Sequence, residues 1–338
     1  MQAPKISIVT PTFNAAATIA ACIESVASQT YANKEHWIID GLSTDNTMDI
    51  VQQYAAVYPH IRYISEKDQG IYDAMNKGIQ LSEGEWLYFL GADDTFYSEN
   101  VLQDIFYCKK INKNTGILYG NVFIGNSYFT NYSKQYNHST ILFENLLHQS
   151  YFTARSLFDK LGLFNIKYRL SSEIEFNIRA MASNTNFEFV DVIICKFAYG
   201  GQSGHVNNRH LLVKERLEIL LQGINQLKLH DFTRKKAIIF TTKLFLREVL
   251  LNAFPISFFR KQKYRYTIGN NIIIKVATKR WLLKEFVTDD GVFTNIHKGS
   301  IAIAVVQILF LLYKRPKKLG FYLINSCFWL KMRLKSNA

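Results

Sequence analysis

The chain has 338 residues, 48% of them hydrophobic, and a formal net charge of +13. This length and apolar content exclude a disordered or fibrous protein and fit about two folded domains. The four cysteines lie far apart, which excludes a disulfide scaffold or a zinc ribbon and favours a reducing compartment. The amino terminus shows no secretory signal pattern, so a cytoplasmic location is expected.

The charge is distributed unevenly along the chain. Residues 1–205 contain 15 basic and 20 acidic side chains, whereas residues 206–338 contain 25 basic and 7 acidic ones. We therefore place a domain boundary near residue 205. The basic part is interleaved with apolar stretches and carries no helix-turn-helix, zinc-finger or RNP pattern, so it predicts an anionic membrane surface as partner and no nucleic acid. The alternative is a helical subdomain that packs on the first part or on a second copy of the chain.

Short apolar runs alternate with amphipathic segments through the first ninety residues. Strands are predicted at residues 6–9, 37–40, 61–64 and 86–90, with helices over residues 19–26, 48–58 and 71–81 between them. Buried strands of this length that alternate with helices are typical of a parallel sheet covered on both faces. Ligands bind to such sheets at the carboxyl ends of the strands.

The pattern becomes mixed after residue 115. A hairpin is predicted over residues 117–124 and 127–132, then helices at 155–161 and 173–181, and a last strand at 187–197. Beyond residue 205 the segments are mostly helical. The predicted fold class is therefore α/β with a mixed sheet, followed by a helical extension.

Polar residues cluster after the predicted strands, where a site on this kind of sheet would lie. Asp93 and Asp94 form the clearest signal, because two adjacent carboxylates after an apolar strand repel each other unless a cation or hydrogen-bond donors lie between them. Carboxylate oxygens suit Mg²⁺ or Mn²⁺, which also bind substrate phosphates. The alternative is an aspartate that caps the next helix beside a turn residue.

Three segments in chain order resemble the successive motifs of family 2 glycosyltransferases, which are inverting enzymes with a GT-A fold. They are Val9–Asn14, Ile39–Thr47 and the pair Asp93–Asp94. Asp68–Gly78 and His148–Gln149 resemble more narrowly a branch found in bacterial O-antigen and colanic-acid assembly. The resemblance covers about residues 4–205. It implies a GT-A-type doubly wound mixed sheet for residues 1–205. From their composition and pattern, residues 206–338 are expected to form a basic helical extension.

The resemblance also implies the residues that bind the nucleotide-sugar donor. They are Thr10, Pro11, Thr12, Asp40, Asp73, Asn76 and Asp93. Asp40 would pair with the base, usually uracil, and Asp73 with Asn76 would lie near the ribose and phosphates. Asp93 and Asp94 would hold Mn²⁺ or Mg²⁺. Gly91 departs from the fuller pattern, which has an aspartate there, so the metal would depend on these two carboxylates and the diphosphate.

An inverting transfer also needs a base that takes the proton of the acceptor hydroxyl. Family members place an aspartate at the start of a helix that ends in arginine. Counting back from Arg179 puts Glu173 at that position, with Glu175 as second choice. The glutamate is one methylene longer than the family's aspartate. The alternative is that Glu173 only begins a helix whose dipole favours an acid there.

Three further residues are candidates for contact with the acceptor or the diphosphate. His148 and Gln149 resemble the acceptor-side pair of the branch, although a single histidine is also common as a structural residue. His205 follows a glycine-rich loop whose amides could approach the diphosphate. A plain connector is the alternative for that loop.

The resemblance implies a metal-dependent hexosyltransferase that moves one sugar from a nucleotide sugar, expected to be UDP-linked. The expected acceptor is a glycan carried on polyprenyl diphosphate at the inner face of a bacterial membrane. A metal-dependent nucleotidyltransferase would show a glycine-rich basic loop after the first strand, and residues 10–14 contain neither glycine nor lysine. A dinucleotide-dependent oxidoreductase lacks its G-x-G-x-x-G motif here. A non-catalytic membrane scaffold that keeps the fold is the remaining alternative.

Overall fold

The computed structural model describes residues 3–108, 111–125, 128–132, 134–138, 140–142, 144, 146–198 and 208–227. The first half of the described chain alternates strands and helices. Its elements are β1 (Ile6–Thr12), α1 (Ile19–Ala27), β2 (Lys34–Asp40), α2 (Thr47–Val57), β3 (Ile61–Ser65), α3 (Ile71–Leu81) and β4 (Trp86–Phe89).

The second half is less regular. Its elements are β5 (Thr95–Phe96), α4 (Val101–Phe106), β6 (Thr115–Ile124), β7 (Tyr128–Phe129), a 3₁₀ turn (His148–Ser150), β8 (Tyr151–Ala154), α5 (Arg155–Leu161), α6 (Ser172–Ala182), β9 (Asn186–Phe197) and α7 (Arg209–Gln226). The strands and helices expected from the sequence in this region are confirmed. β5, α4 and β8 were missed, because runs of two to six residues carry too little periodicity to detect.

The strands of the described chain form one nine-stranded sheet in the order β3-β2-β1-β4-β8-β6-β9-β5, with β7 paired to β6. β3, β2, β1 and β4 are parallel to one another, whereas β8 is antiparallel to both β4 and β6. The sheet is therefore mixed and doubly wound, and the expected fold class is confirmed. The strand order reverses at β1, so the carboxyl ends of β1, β2 and β4 face a crevice where ligands of this fold class bind.

The core lies on both faces of the sheet. Every residue of β1 and β4 is buried, as is nearly all of β2, whereas the edge strand β3 is mostly exposed. On one face, two apolar clusters pack α1, α2 and α4 against the sheet. On the other face, Val9 lies against Gly78 of α3 and Phe89 against Phe158 of α5. Burial on both faces explains the continuous apolar runs of the first strands.

One compact unit of the chain extends from Met1 to Ile238. It includes α7, which lies beyond the boundary that we expected near residue 205. The division into domains at that residue stays a prediction, and residues 228–338 lie outside the described part. Within the described ranges, no helix combines the length and hydrophobicity that crossing a bilayer requires.

Candidate active site

Two loops at the carboxyl edge of the sheet are joined by hydrogen bonds. The Asn14 amide, after β1, donates to Ser43 Oγ over 2.7 Å, and Asn14 Oδ1 accepts the Thr44 amide over 2.8 Å. Asn14 has a positive φ of 49°, a conformation that asparagine tolerates better than most residues. The loops after β1 and β2 therefore form one rigid wall of the crevice.

The strand-one residues expected to hold the nucleotide are buried in this wall. Thr10, Pro11 and Thr12 all belong to β1, and Thr10 Oγ1 forms a 2.9 Å hydrogen bond with His36 Nε2. Burial lowers the pKa of His36 to about 3, so this histidine is neutral. The side chain that faces solvent is the next one, Phe13, which is 60% exposed. Sequence reasoning missed it, although an aromatic residue inside a polar turn is a usable signal.

Asp40 holds the loop after β2. Its side chain is completely buried, and its carboxylate accepts hydrogen bonds from the Ser43 amide, Ser43 Oγ and Ser65 Oγ at 2.5–3.0 Å. These bonds fix the position of the carboxylate at the end of β2. Its expected contact with the nucleotide base stays a prediction.

Asn76 also has a structural role. Its Nδ2 donates to the carbonyl of Phe164 over 2.9 Å, and its Oδ1 accepts the Phe164 amide over 3.0 Å. Both ends of the amide thus bind the backbone of the segment before α6, and the expected contact of Asn76 with ribose or phosphate stays a prediction. Asp73, on the same helix, is partly exposed and accepts the Gln69 amide over 2.9 Å. Its expected contact with the donor stays a prediction.

The two adjacent aspartates after β4 lie in different environments. Asp93 is exposed, whereas Asp94 is buried and accepts hydrogen bonds from Gln149 Nε2 at 2.7 Å and the Ala198 amide at 2.8 Å. Burial, together with the charge of Asp93, raises the pKa of Asp94 to about 7. Gln149 therefore orients this carboxylate, and the sequence did not show that the two would meet.

Gly91 makes the arrangement of the two carboxylates possible. A Cβ at this position would lie 2.6 Å from Asp94 Oδ2 and 2.9 Å from Asp93 Oδ1. The departure from the fuller motif thus has a steric reason, because the space of a side chain is taken by the two carboxylates. An exposed carboxylate beside a buried one, both with hard oxygen ligands, fits Mn²⁺ or Mg²⁺. Within the described part, no three His, Cys, Asp or Glu side chains meet as a metal site.

The two glutamates at the start of α6 are bonded differently. Glu175 forms a two-pronged ion pair with Arg179, at 2.8 and 3.0 Å, and Arg179 also donates to the carbonyls of Leu161 and Leu163. The negative charge of Glu175 is therefore paired with Arg179, which also binds the backbone before α6. The acid at position 173 has no cation directly bonded to it among the described residues.

Glu173 is 8% exposed, and its carboxylate accepts a hydrogen bond from the Tyr72 hydroxyl. Burial raises the pKa of Glu173, and the bond from Tyr72 opposes that effect. Tyr72 itself keeps its proton, since burial and the nearby carboxylate raise its pKa well above the usual value. A buried carboxylate with a raised pKa has the chemistry that a general base requires, and the expected role of Glu173 as the base stays a prediction. Tyr72 was not identified from the sequence as a partner of this base.

A shallow depression of the surface lies beside Tyr72. Its wall is formed by the start of α3 and the segment before α6, including Asp73, Tyr168 and Arg169. Tyr72 thus lines this depression and also donates to the candidate base.

Of the two histidines expected near the acceptor or the diphosphate, the structure describes His148. His148 is half-buried, and desolvation lowers its pKa to about 4, which makes it neutral. Its expected contact with acceptor stays a prediction. His205 lies outside the described residues.

The sheet order and the paired carboxylates at the strand ends define a GT-A-type α/β transferase. The family model for "Glycosyl transferase family 2" matches residues 7–176, half of the chain. The chain therefore belongs to glycosyl transferase family 2, as the sequence motifs indicated.

Curated relatives carry related names. A "PGL/p-HBAD biosynthesis glycosyltransferase" of Mycobacterium bovis is 34% identical over 216 residues, which cover 63% of this chain and 84% of the relative. Chondroitin synthase of Escherichia coli is 38% identical over 93 residues, or 28% of this chain and 14% of that protein. The first match covers most of the relative, whereas the second is confined to a short segment.

Two solved structures show the same fold. TarS of S. aureus (residues 1–349, in complex with UDP-GlcNAc) has a TM-score of 0.55 at 16% identity, covering 72% of this chain and 71% of that one. The mannosyltransferase PcManGT of Pyrobaculum calidifontis, in complex with GDP-Man and Mn²⁺, has a TM-score of 0.57 at 13% identity, covering 96% and 86%. At these identities the likeness supports the fold alone.

Proposed function

We propose that this glycosyltransferase moves one sugar from a UDP-linked donor to a lipid-carried glycan acceptor, with inversion at the anomeric carbon. It would act in the assembly of a bacterial surface polysaccharide or glycolipid. The observation that carries the proposal is the contrast between two neighbouring acids. Glu175 is paired with Arg179, whereas Glu173 is buried with a raised pKa and is bonded to the Tyr72 hydroxyl.

The donor would occupy the crevice at the carboxyl ends of β1, β2 and β4. The exposed ring of Phe13 offers a face on which a nucleotide base can stack. TarS, whose fold is similar, has been solved with UDP and with UDP-GlcNAc, and this supports a uridine nucleotide as the first candidate. Asp93 and Asp94 would hold a divalent cation, which when bound offsets the negative charge of the leaving diphosphate.

The reaction would be a single displacement. Glu173 takes the proton of the acceptor hydroxyl while that oxygen forms a bond to the anomeric carbon. The bond from that carbon to the diphosphate oxygen breaks on the opposite side, and the nucleoside diphosphate leaves with the electron pair. Tyr72 donates a hydrogen bond to the Glu173 carboxylate and so favours its ionised form. Partial exclusion of water around Glu173 strengthens the basicity of its carboxylate.

The acceptor is proposed to be glycan on polyprenyl diphosphate at the cytoplasmic face of the membrane. This part of the proposal depends on composition, because residues 206–338 hold 25 basic and only 7 acidic side chains. Basic residues interleaved with apolar stretches suit an anionic lipid surface. A lipid-linked acceptor would then lie within reach of an enzyme bound to that surface.

The test begins with a panel of UDP-, GDP- and TDP-linked sugars, read by thermal shift with Mn²⁺. A donor present at 100 times its dissociation constant should raise stability by about 2.7 kcal/mol. The anomeric configuration of the product is then read by NMR, and inversion is expected. A retained configuration would contradict the single displacement, and release of pyrophosphate would favour a nucleotidyltransferase.

A pair of variants tests the base. Glu173→Gln should bind donor normally and lose transfer by about 10²- to 10⁴-fold, the usual contribution of a general base. Glu83→Gln is the matched control, because Glu83 is exposed and pairs with Lys5. Equal activity of the two variants would remove Glu173 from the mechanism. A wild-type chain that binds no donor and transfers nothing would support the scaffold alternative.

A further inference from the structure

The helix α7 follows the segment matched by the family model, yet it contacts the approach to the candidate base. Glu215, on α7, is 5% exposed. Its Oε1 accepts the Arg169 amide over 2.7 Å, and its Oε2 accepts the Leu170 amide over 2.9 Å. One buried carboxylate thus holds two successive backbone N–H groups by charge-assisted hydrogen bonds, which are among the stronger kinds.

The backbone held in this way leads directly into α6. Ser171 follows Leu170 and is the residue at which α6 is capped, and its carbonyl accepts the Ile174 amide over 3.1 Å. Glu173 therefore lies only three residues beyond the bonds from Glu215. A shift of the segment at Arg169 and Leu170 would move the first turn of α6 and the carboxylate of the base with it.

The rest of α7 fixes the helix in place against α6. A Cβ at Gly223 would lie 2.9 Å from Ile178 Cδ1, so the glycine allows close approach of the two helices. Glu218 binds the side chains of Lys167 and Tyr168, one turn along α7 from Glu215. The support for the segment before α6 thus comes from a well-packed helix, and not from a loop.

We propose that Glu215 is a positioning residue for the general base Glu173. It acts by holding the backbone at Arg169 and Leu170 in the place that the reaction requires. The inference rests on the proposed function, since it needs Glu173 to be the base. It assigns a catalytic contribution to α7, which lies beyond residues 7–176 of the family match.

Two substitutions of Glu215 distinguish the effect of side-chain length from the effect of charge. Glu215→Asp keeps the charge and withdraws the oxygens by one methylene, whereas Glu215→Gln keeps the length and replaces one acceptor by a donor. Both should lower kcat by about 10-fold or more with the donor KM unchanged, since a misplacement of 1 Å can cost on the order of 10²-fold. Glu83→Gln is the control, because it makes the same change at an exposed glutamate that pairs with Lys5, outside α6 and α7.

The pH profile adds a readout that a purely structural role would not move. The groups that face Glu173 are Tyr72 on α3, Tyr151 on β8, and Glu215 with Arg216 on α7. Burial is the main cause of the raised pKa of Glu173, and the negative charge of Glu215 adds to it, so Glu215→Gln should move the acid limb of kcat to lower pH. Glu215→Asp should leave that limb in place.

The outcomes are distinguishable from failure of the proposed function. If Glu173→Gln is fully active, the base assignment fails whatever the Glu215 variants do. If Glu173→Gln is inactive while folded Glu215 variants keep kcat within twofold of wild type, the positioning role is wrong. Should Glu215→Gln fail to fold, the kcat of Glu215→Asp decides the question.

Discussion

Removal of the Tyr72 hydroxyl should weaken the candidate base at acid pH and leave it intact at alkaline pH. In Tyr72→Phe the Glu173 carboxylate loses the hydrogen bond that favours its ionised form. A hydrogen bond to a charged group contributes about 1.5–3 kcal/mol. About 1.4 kcal/mol corresponds to a tenfold change in a protonation equilibrium. The ratio of protonated to ionised Glu173 should therefore rise by about 10- to 100-fold.

The sign follows from the role of the carboxylate. Only ionised Glu173 can accept the proton of the acceptor, and burial has already raised its pKa. Tyr72→Phe raises that pKa further, so kcat/KM should fall by about 10- to 100-fold on the acid limb. At pH values well above the raised pKa the carboxylate is ionised in both proteins, and the rates should converge.

The assay is a pH profile of sugar transfer at saturating donor, with urea unfolding to verify the fold. Tyr54→Phe is the matched control, because Tyr54 also donates to a glutamate, Glu24, but in an exposed pair. Superimposable profiles of Tyr72→Phe and wild type would refute the reasoning. A loss of equal size at every pH would also refute it, because the hydroxyl would then act by a different route.

Three other changes have expected outcomes. Gly91→Ala places a Cβ 2.6 Å from Asp94 Oδ2, so the rise in Tm that Mn²⁺ gives wild type should disappear; an unchanged rise would contradict the metal site. Arg179→Met breaks the ion pair with Glu175 and two bonds to carbonyls, and should lower the free energy of unfolding in urea by about 1–3 kcal/mol. The full chain should float with anionic vesicles, and less of it should float at high salt, because the basic residues of 206–338 bind the anionic lipid. Binding that does not change with the anionic lipid content would refute this.

The sequence alone determined the sheet and its ligand-binding edge. The periodicity of β1, β2 and β4 reflects burial on both faces, and this is a local property of the residues that a single sequence displays. Asp93 and Asp94 were located for the same reason, because they follow a buried strand directly. The order of the motifs then indicated the family.

The tertiary structure decided which polar groups remain available for chemistry. Sequence spacing left Glu173 and Glu175 open as candidate bases, and only the folded contacts with Tyr72 and Arg179 separate them. The fold also joins the Asp40 carboxylate to Ser43 and Ser65. The bonds from Ser65 to Asp40 and from Tyr72 to Glu173 join residues 25 and 101 positions apart, and local sequence carries no record of such pairings. The availability of a side chain is thus a property of the packed molecule, because each buried polar group must find a partner wherever the fold places one.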